Sequence, residues 1–257
     1  MKDFIGVIDS GLGGITVLAD LHRELPEETL IYLGDSRNAT YGEKSQEEIT
    51  DLSRHIIGDF VDEGAKAVLI ACNTATSAAV ATLRHEFDLP IIGMEPALKP
   101  ALEQTPEGKI LVLATTYTLH HDKFRNLQER LGQTDRILTI AAPKLVRFVE
   151  DGIYQGEELQ THLAELLPEP SDISAIVLGC THFLYLRPAL QAFFPHPVTF
   201  FDGNAGTIQY LKRQIPRRSG TPGHVEIRNS LSQDMVERSQ CMMNIYQSLA
   251  TDLTGNE

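Results

Sequence analysis

Short apolar runs recur along this chain, each followed by a longer stretch of helical period. Residues 4–8, 30–33, 67–71, 91–93, 109–114, 136–141, 175–179 and 198–201 read as strands. Helical patterns lie between them at residues 15–25, 45–63, 76–87, to about 104, 120–131, 145–150, 157–167 and 186–193. Ser45 with Glu48 three residues on has the form of a capping box. Strands alternating with helices of this length build βαβ units on a parallel sheet, and right-handed crossovers bring strand C-termini and helix N-termini to one edge. Ligands of open α/β sheets sit at that edge. After the strand at 91–93 the pattern starts again, so the chain is expected to form an α/β fold of two similar lobes, each a mostly parallel sheet flanked by helices.

Two of the runs end alike. Ile70-Ala71-Cys72-Asn73-Thr74 and Leu178-Gly179-Cys180-Thr181-His182 each carry a buried strand into a cysteine, with a threonine within two residues and a helical pattern after it. A lone buried cysteine is ordinarily a small hydrophobe. Here each thiol falls where helix-start amides favour a thiolate, each has polar neighbours, and the two are matched, which points to a paired chemical task. Cys241, in Gln240-Cys241-Met242-Met243 on a late helix, has none of these features and is expected in the core.

At 257 residues and 42% hydrophobic content, the chain has ample material for two modest lobes. Three widely spaced cysteines with no C-x-x-C pair give neither a disulfide framework nor a dithiol couple, so reduced thiols are expected. No group of His, Cys and carboxylate has metal-ligand spacing, and no metal is expected. A net charge of −13 argues against nucleic acid as a partner, and the basic cluster of Lys212, Arg213, Arg217 and Arg218 reads as a solvated helix end. Residues 1–8 lack the apolar segment of a signal peptide, and no run reaches the roughly 18 apolar residues that span a bilayer. A cytoplasmic protein with no membrane partner is the expectation.

The turn Asp9-Ser10-Gly11-Leu12-Gly13-Gly14 follows the first strand. A dinucleotide fingerprint would place its third glycine at position 16, which is Thr16. What is left is a tight turn at a helix start whose amides can approach an anion, with a carboxylate and a hydroxyl beside them. The plainer alternative has Asp9 bonding only local amides. His182 is placed to relay protons or tune Cys180, although such a histidine is often structural. His120-His121 reads as a surface pair at a helix start, and Glu150 with Asp151 as solvated charges at a helix end. The tail from about residue 206 holds a helix, a Ser/Gly/Pro-rich loop at 219–223, a strand at 225–228 and a helix over 233–249, with no chemical motif. It is expected to pack on the first lobe, giving a discontinuous domain of residues 1–95 plus 206–257 and a second of 96–205.

Asp9-Ser10-Gly11-Leu12-Gly13-Gly14, Gly34-Asp35-Ser36, Tyr41-Gly42-Glu43-Lys44, Ala71-Cys72-Asn73-Thr74-Ala75 and Leu178-Gly179-Cys180-Thr181-His182 occur in the order and spacing of the glutamate racemases. From about Ile5 to about Ile208 the chain resembles that family, part of the cofactor-independent aspartate/glutamate racemase superfamily. The resemblance implies two α/β lobes with the active site in the cleft between them. It implies interconversion of L- and D-glutamate with neither pyridoxal phosphate nor a metal, for peptidoglycan synthesis, in a homodimer whose small-molecule partner is glutamate. By position it makes Cys72 and Cys180 the two acid/base thiols, Asp9 and His182 their assisting groups, and Glu150 a third. Ser10, Tyr41, Gly42, Asn73, Thr74 and Thr181 match substrate contacts together with Asp9 and His182, and Thr115 and Thr118 join them.

The chemistry agrees with that implication. Inverting a stereocentre without a cofactor needs a base on each face of the α-carbon, and two matched thiols supply it. A dicarboxylate held by an acidic protein calls for backbone amides and neutral Ser, Thr, Asn and Tyr donors. Thr40 stands where the family commonly has proline, Ala142 where Cys-Pro is frequent, and Leu184-Tyr185 where Pro-Leu is common; Asp202-Gly203-Asn204-Ala205 is also unusual. These departures bear on side-chain specificity and leave the proton chemistry intact. The alternatives are the same reaction on aspartate, or a non-catalytic protein that binds an amino acid on this fold.

Overall fold

A computed structural model describes residues 3–168, 172–216 and 220–254. In chain order the elements begin with β1 (Phe4–Asp9), α1 (Ile15–Glu24), β2 (Leu30–Gly34), α2 (Gln46–Glu63), β3 (Ala65–Ile70), α3 (Asn73–Glu86) and β4 (Ile91–Gly93). They continue with α4 (Leu98–Gln104), β5 (Lys109–Ala114), α5 (Thr116–His120), α6 (Asp122–Leu131), β6 (Ile137–Ala141), α7 (Pro143–Glu150), α8 (Glu157–Leu166), β7 (Ile173–Gly179), α9 (Arg187–Phe193) and β8 (Thr199–Asp202). The last are α10 (Asn204–Gln214), β9 (Val225–Asn229) and α11 (Gln233–Thr254).

The chain divides into two compact units, one running through Met94 and resuming at Asn204, the other Glu95–Gly203. The first is built on a sheet of order β4-β3-β1-β2-β9 and the second on a sheet of order β6-β5-β7-β8. Every strand pairing among the described residues is parallel. The two sheets follow one plan: β1 and β5 take the same place, β3 with β4 and β7 with β8 lie to one side, and β2 and β6 to the other. β9 is an addition to the first.

β1 from Phe4 to Ile8 and β5 from Ile110 to Ala114 carry no polar side chain, as strands of a parallel sheet covered by helices on both faces require. β1 is buried at every residue, and in β5 all but Lys109 are. α2 is started by the capping box, in which Ser45 Oγ accepts from the Glu48 amide at 3.2 Å and Glu48 Oε2 from the Ser45 amide at 2.9 Å. It buries Ile49, Ile57 and Phe60 on one face. In the second unit Leu98 and Ala101 of α4 and Phe124 of α6 pack on Ile110, Val112, Ala175 and Val177. The tail completes the first unit: Asp20 of α1, buried, accepts from Asn204 Nδ2 at 2.7 Å and from the Tyr246 hydroxyl at 2.8 Å. Among the described residues no helix is long and apolar enough to cross a membrane.

Local differences from the sequence expectation have physical causes. α3 begins at Asn73 rather than residue 76, because Cys72 itself takes the N-cap position and its Sγ accepts from the Ala75 amide at 3.4 Å. The expected helix over 120–131 is interrupted at His121, which is extended and caps α6 by accepting from the Lys123 amide at 3.3 Å. α9 is preceded by a 3₁₀ stretch over Thr181–Leu186 that is buried at every residue, so no polar face marks its period. Lys212, read as part of a solvated cluster, is ion-paired with Glu24, while Arg217, Arg218 and Ser219 lie outside the described residues.

Cys241 is exposed, not in the core. α11 turns Ser239, Met242 and Tyr246 inward, and a residue adjacent to Met242 is rotated by about 100° from that face. Cys241→Ser is therefore expected to change stability by no more than about 0.5 kcal/mol and turnover by less than about twofold, as thermal unfolding and steady-state kinetics would show.

Candidate active site

In the first unit the candidate residues gather where β1, β2 and β3 end. β1 delivers Asp9 into the turn, where Asp9 Oδ1 accepts from the Gly11 amide at 3.1 Å and the Tyr32 hydroxyl donates to the Gly11 carbonyl at 2.6 Å. Gly14 is required here, since a Cβ would come within 2.5 Å of the Asp9 Cβ. β3, paired with β1 through Ile8 and Ile70, carries the chain to Cys72. The Cys72 thiol reaches Ser10 Oγ at 3.6 Å, so the turn after β1 and the start of α3 meet at the sulfur. An amide hydrogen bond from a helix N-terminus to sulfur strengthens when the sulfur is anionic. Asn73 and Thr74 are the first residues of α3 and are buried; the side-chain oxygen of Asn73 has no hydrogen-bond partner among the described residues. A buried acceptor of that kind calls for an N–H or O–H from water or a ligand.

Tyr41 and Gly42 lie in a 3₁₀ turn, Tyr41–Glu43, after β2. The Tyr41 hydroxyl donates to Asp35 Oδ2 at 2.7 Å. Burial, the hydrogen bond to Asp35 and the negative charges of Asp35, Cys72 and Asp9 hold the phenol well above its ordinary range. Tyr41 therefore keeps its proton and commits it to Asp35, which leaves a ligand an acceptor here and not the donor expected from sequence.

In the second unit β5 and β7 are paired through Ala114 and Gly179, so Thr115 and Cys180 leave adjacent strands side by side. Gly179 permits that approach: a Cβ would come within 2.9 Å of both the Ala114 Cβ and the Leu113 carbonyl oxygen. Thr115 caps α5, and the Thr115 and Thr118 hydroxyls are hydrogen-bonded at 3.0 Å. Cys180 Sγ lies 3.6 Å from His182 Nδ1, and His182 Nε2 lies 2.6 Å from Glu150 Oε1 at the end of α7. Glu150 is thus bonded to the histidine and is not the solvated charge its position suggested. Burial pushes the His182 imidazole down, but hydrogen bonds to Cys180 and Glu150 and the negative charge of both partners outweigh it and hold it well above its ordinary value. With Nε2 facing an acceptor-only carboxylate and the ring cationic, Nδ1 presents its proton to the sulfur. Thr181 is buried beside them.

Each unit thus mounts one buried thiol at a strand end with its own hydrogen-bonding companions. Cys72 has a hydroxyl and a helix amide, and Cys180 an imidazolium backed by a carboxylate. Sequence reasoning assigned no role to Asp35 or Ser230. Asp35 carried a signal, an acid directly at the end of an apolar strand, whereas Ser230 carried none, since its contact with Asp35 spans 195 positions.

The sequence profile of the family described as Asp/Glu/Hydantoin racemase matches residues 5–211. The chain is 42% identical to a glutamate racemase of Clostridium acetobutylicum over 240 residues, covering 90% of this chain and 93% of that one. It is 42% identical to one from Clostridium perfringens over 250 residues, covering 94% and 96%. Its fold matches the crystal structure of Escherichia coli glutamate racemase in complex with L-glutamate and the activator UDP-MurNAc-Ala with a TM-score of 0.83, at 25% identity and with 96% of each chain covered. The strand plan, the paired thiols at strand ends and these likenesses lead to one assignment: the chain belongs to the Asp/Glu/hydantoin racemase family and is a racemase.

Proposed function

We propose that this racemase interconverts L- and D-glutamate by a two-base mechanism, with Cys72 and Cys180 as the bases, and that its D-glutamate serves peptidoglycan synthesis. The observation that carries the mechanism is that each unit supplies one buried thiol with its own hydrogen-bonding neighbours, Ser10 at Cys72 and His182 at Cys180. Glutamate as substrate is supported by relatives that are glutamate racemases at 42% identity over at least 90% of the chain.

In this reading one sulfur, as thiolate, takes the α-proton and becomes S–H while the electron pair passes into the α-carbon and its carboxylate. The other sulfur, as thiol, gives its proton to the opposite face and becomes thiolate. The product is the enantiomer and the protein is left with its protons exchanged, ready for the reverse direction. Ser10 and Asp9 assist at Cys72, and His182 with Glu150 at Cys180, by holding or returning the proton as each sulfur changes charge. Thr74, Thr115, Thr118 and Thr181 hold the substrate through hydroxyls and amides, Tyr41 and Gly42 through the turn they form, and Asn73 through the side-chain oxygen that has no partner among the described residues. Among the candidate residues His182 is the one cation, so neutral groups carry most of the carboxylate binding.

Incubation with L-glutamate in deuterated water is expected to give deuterium at the α-carbon and decay of optical rotation to zero, with aspartate turned over at least tenfold more slowly, about 1.4 kcal/mol in the barrier. Faster turnover of aspartate would reassign the substrate. Binding of glutamate with no α-exchange would make the protein a binder and not a catalyst.

A further inference from the structure

Asp35 sits at the end of β2, 3% exposed, with its carboxylate held by neutral donors from three places in the chain. Asn38 Nδ2 donates to both oxygens at 3.1 Å, the Tyr41 hydroxyl to Oδ2 at 2.7 Å and the Ser230 hydroxyl to Oδ1 at 2.7 Å. Ser230 follows β9, in the tail that has no chemical motif of its own. That tail is stitched to the same stretch by four more bonds. The Ser230 amide donates to the Gly34 carbonyl at 3.0 Å, and the Arg37 amide donates to Ser230 Oγ at 3.0 Å. Arg37 Nε donates to the Ser230 carbonyl at 2.9 Å, and Asn229 Nδ2 to Ser36 Oγ at 2.9 Å.

We propose that Ser230 and Asp35 form a latch by which the C-terminal segment sets the position of the Tyr41–Gly42 turn, making both of them positioning residues for substrate binding. Tyr41 spends its only proton on Asp35, so the phenol is an anchor and the turn it anchors is what meets substrate. A buried carboxylate bonds strongly only when its lone pairs are met, and the Ser230 hydroxyl is the donor on Oδ1 that comes from outside the 35–44 stretch. Without it Asp35 keeps its local donors Asn38 and Tyr41 and loses its donor from the tail, so the carboxylate that anchors Tyr41 is held from one side only. The Ser230 amide, the Ser230 carbonyl and Asn229 still join the tail to residues 34–37. The kinetic part of this proposal rests on the glutamate reading above; the structural part does not.

The experiment compares wild type with Ser230→Ala, Ser230→Thr and Tyr41→Phe, alone and with Ser230→Ala combined with Tyr41→Phe, measuring glutamate kinetics and amide hydrogen exchange of the ligand-free protein. Ser230→Ala removes both the donor to Asp35 and the acceptor of the Arg37 amide, and is expected to raise KM about three- to tenfold with kcat within about twofold, a loss on the scale of one or two hydrogen bonds. It should also speed exchange over residues 36–44 while leaving that of β1 and β3 unchanged. Ser230→Thr, which keeps the hydroxyl, should restore both. In the Tyr41→Phe background the Ser230→Ala increase in KM should shrink, since its route through the phenol is already cut. Unchanged exchange over 36–44 in Ser230→Ala would overturn the latch, as would a drop in kcat at constant KM or additive effects in the double variant. If wild type fails to turn over glutamate, the substrate reading falls, and the exchange data alone still decide whether the latch exists.

Discussion

Replacing either Cys72 or Cys180 by serine is expected to lower racemisation by about a thousandfold or more while leaving a residual, one-sided chemistry. A serine hydroxyl is far too weak an acid to form the anion the cycle needs at neutral pH, yet it preserves the size of the side chain and, at Cys72, an acceptor for the Ala75 amide that caps α3. The fold should therefore survive. Under the proposed two-base mechanism, the sulfur that remains still takes the α-proton from the face it addresses and returns a solvent-derived proton to that same face. Each variant should thus exchange the α-hydrogen of one enantiomer with retention, and the two variants should prefer opposite enantiomers. Proton NMR of L- and D-glutamate in deuterated water reads this directly. Both variants exchanging the same enantiomer would contradict one base per face, and a fully active variant would remove its cysteine from the chemistry.

The second large effect concerns the His182–Glu150 pair. Burial alone would empty His182 of its second proton, and its two partners, Cys180 and Glu150, keep it charged. Glu150→Gln retains a hydrogen-bond acceptor but removes the negative charge, so burial regains weight and the imidazole's affinity for a proton falls. Activity that depends on the imidazolium should then be lost at lower pH on the alkaline side than in wild type, and His182→Asn should lower kcat by roughly a hundredfold across the range. The same shift bears on stability. Because the folded value is raised, the proton on His182 stabilises the fold fully below the ordinary histidine value of about 6.5, and that contribution is lost as pH rises through the raised value. Glu150→Gln should narrow this window from above. Urea unfolding of wild type and Glu150→Gln across pH, with ring-carbon NMR of His182, would check it. An alkaline limb that does not move in Glu150→Gln would separate this pair from the catalytic protonation.

Much of the fold was legible because buried parallel strands need uninterrupted apolar runs and helices need an apolar stripe, and both leave a period in the sequence. The capping box at Ser45 and Glu48 could be read for the same reason: its partners are three residues apart. Features that depend on which face a residue takes were harder. Cys241 is one position off the inward row of α11, and a cysteine beside two methionines looks apolar whichever way it points. The start of α3 was missed because its cap is a thiol and not the usual Ser, Thr, Asp or Asn. In the candidate site the thiols and their adjacent residues were visible as local motifs. The local pattern shows Glu150 only as a charge at a helix end, because its bond to His182 spans 32 positions, and its place as a third assisting group comes from the family resemblance alone. The Asp35–Ser230 contact lies further still from anything a local pattern encodes, being created by the register that sets β9 beside β2, with Gly34 opposite Asn229.

The unlike surroundings of the two sulfurs, a hydroxyl and a helix amide at Cys72 against an imidazolium and carboxylate at Cys180, meet a constraint that the protein cannot alter. Mirror-image glutamates have equal free energy in water, so the equilibrium constant is unity and the Haldane relation forces kcat/KM to be the same in both directions. An uneven pair of acids can only divide that shared ratio differently, with a tighter but slower site for one enantiomer and a looser, faster one for the other. Under the proposed two-base mechanism, the asymmetry between the surroundings of the two sulfurs therefore decides which hand of the amino acid the protein holds longer at saturation, and has no power over which hand accumulates.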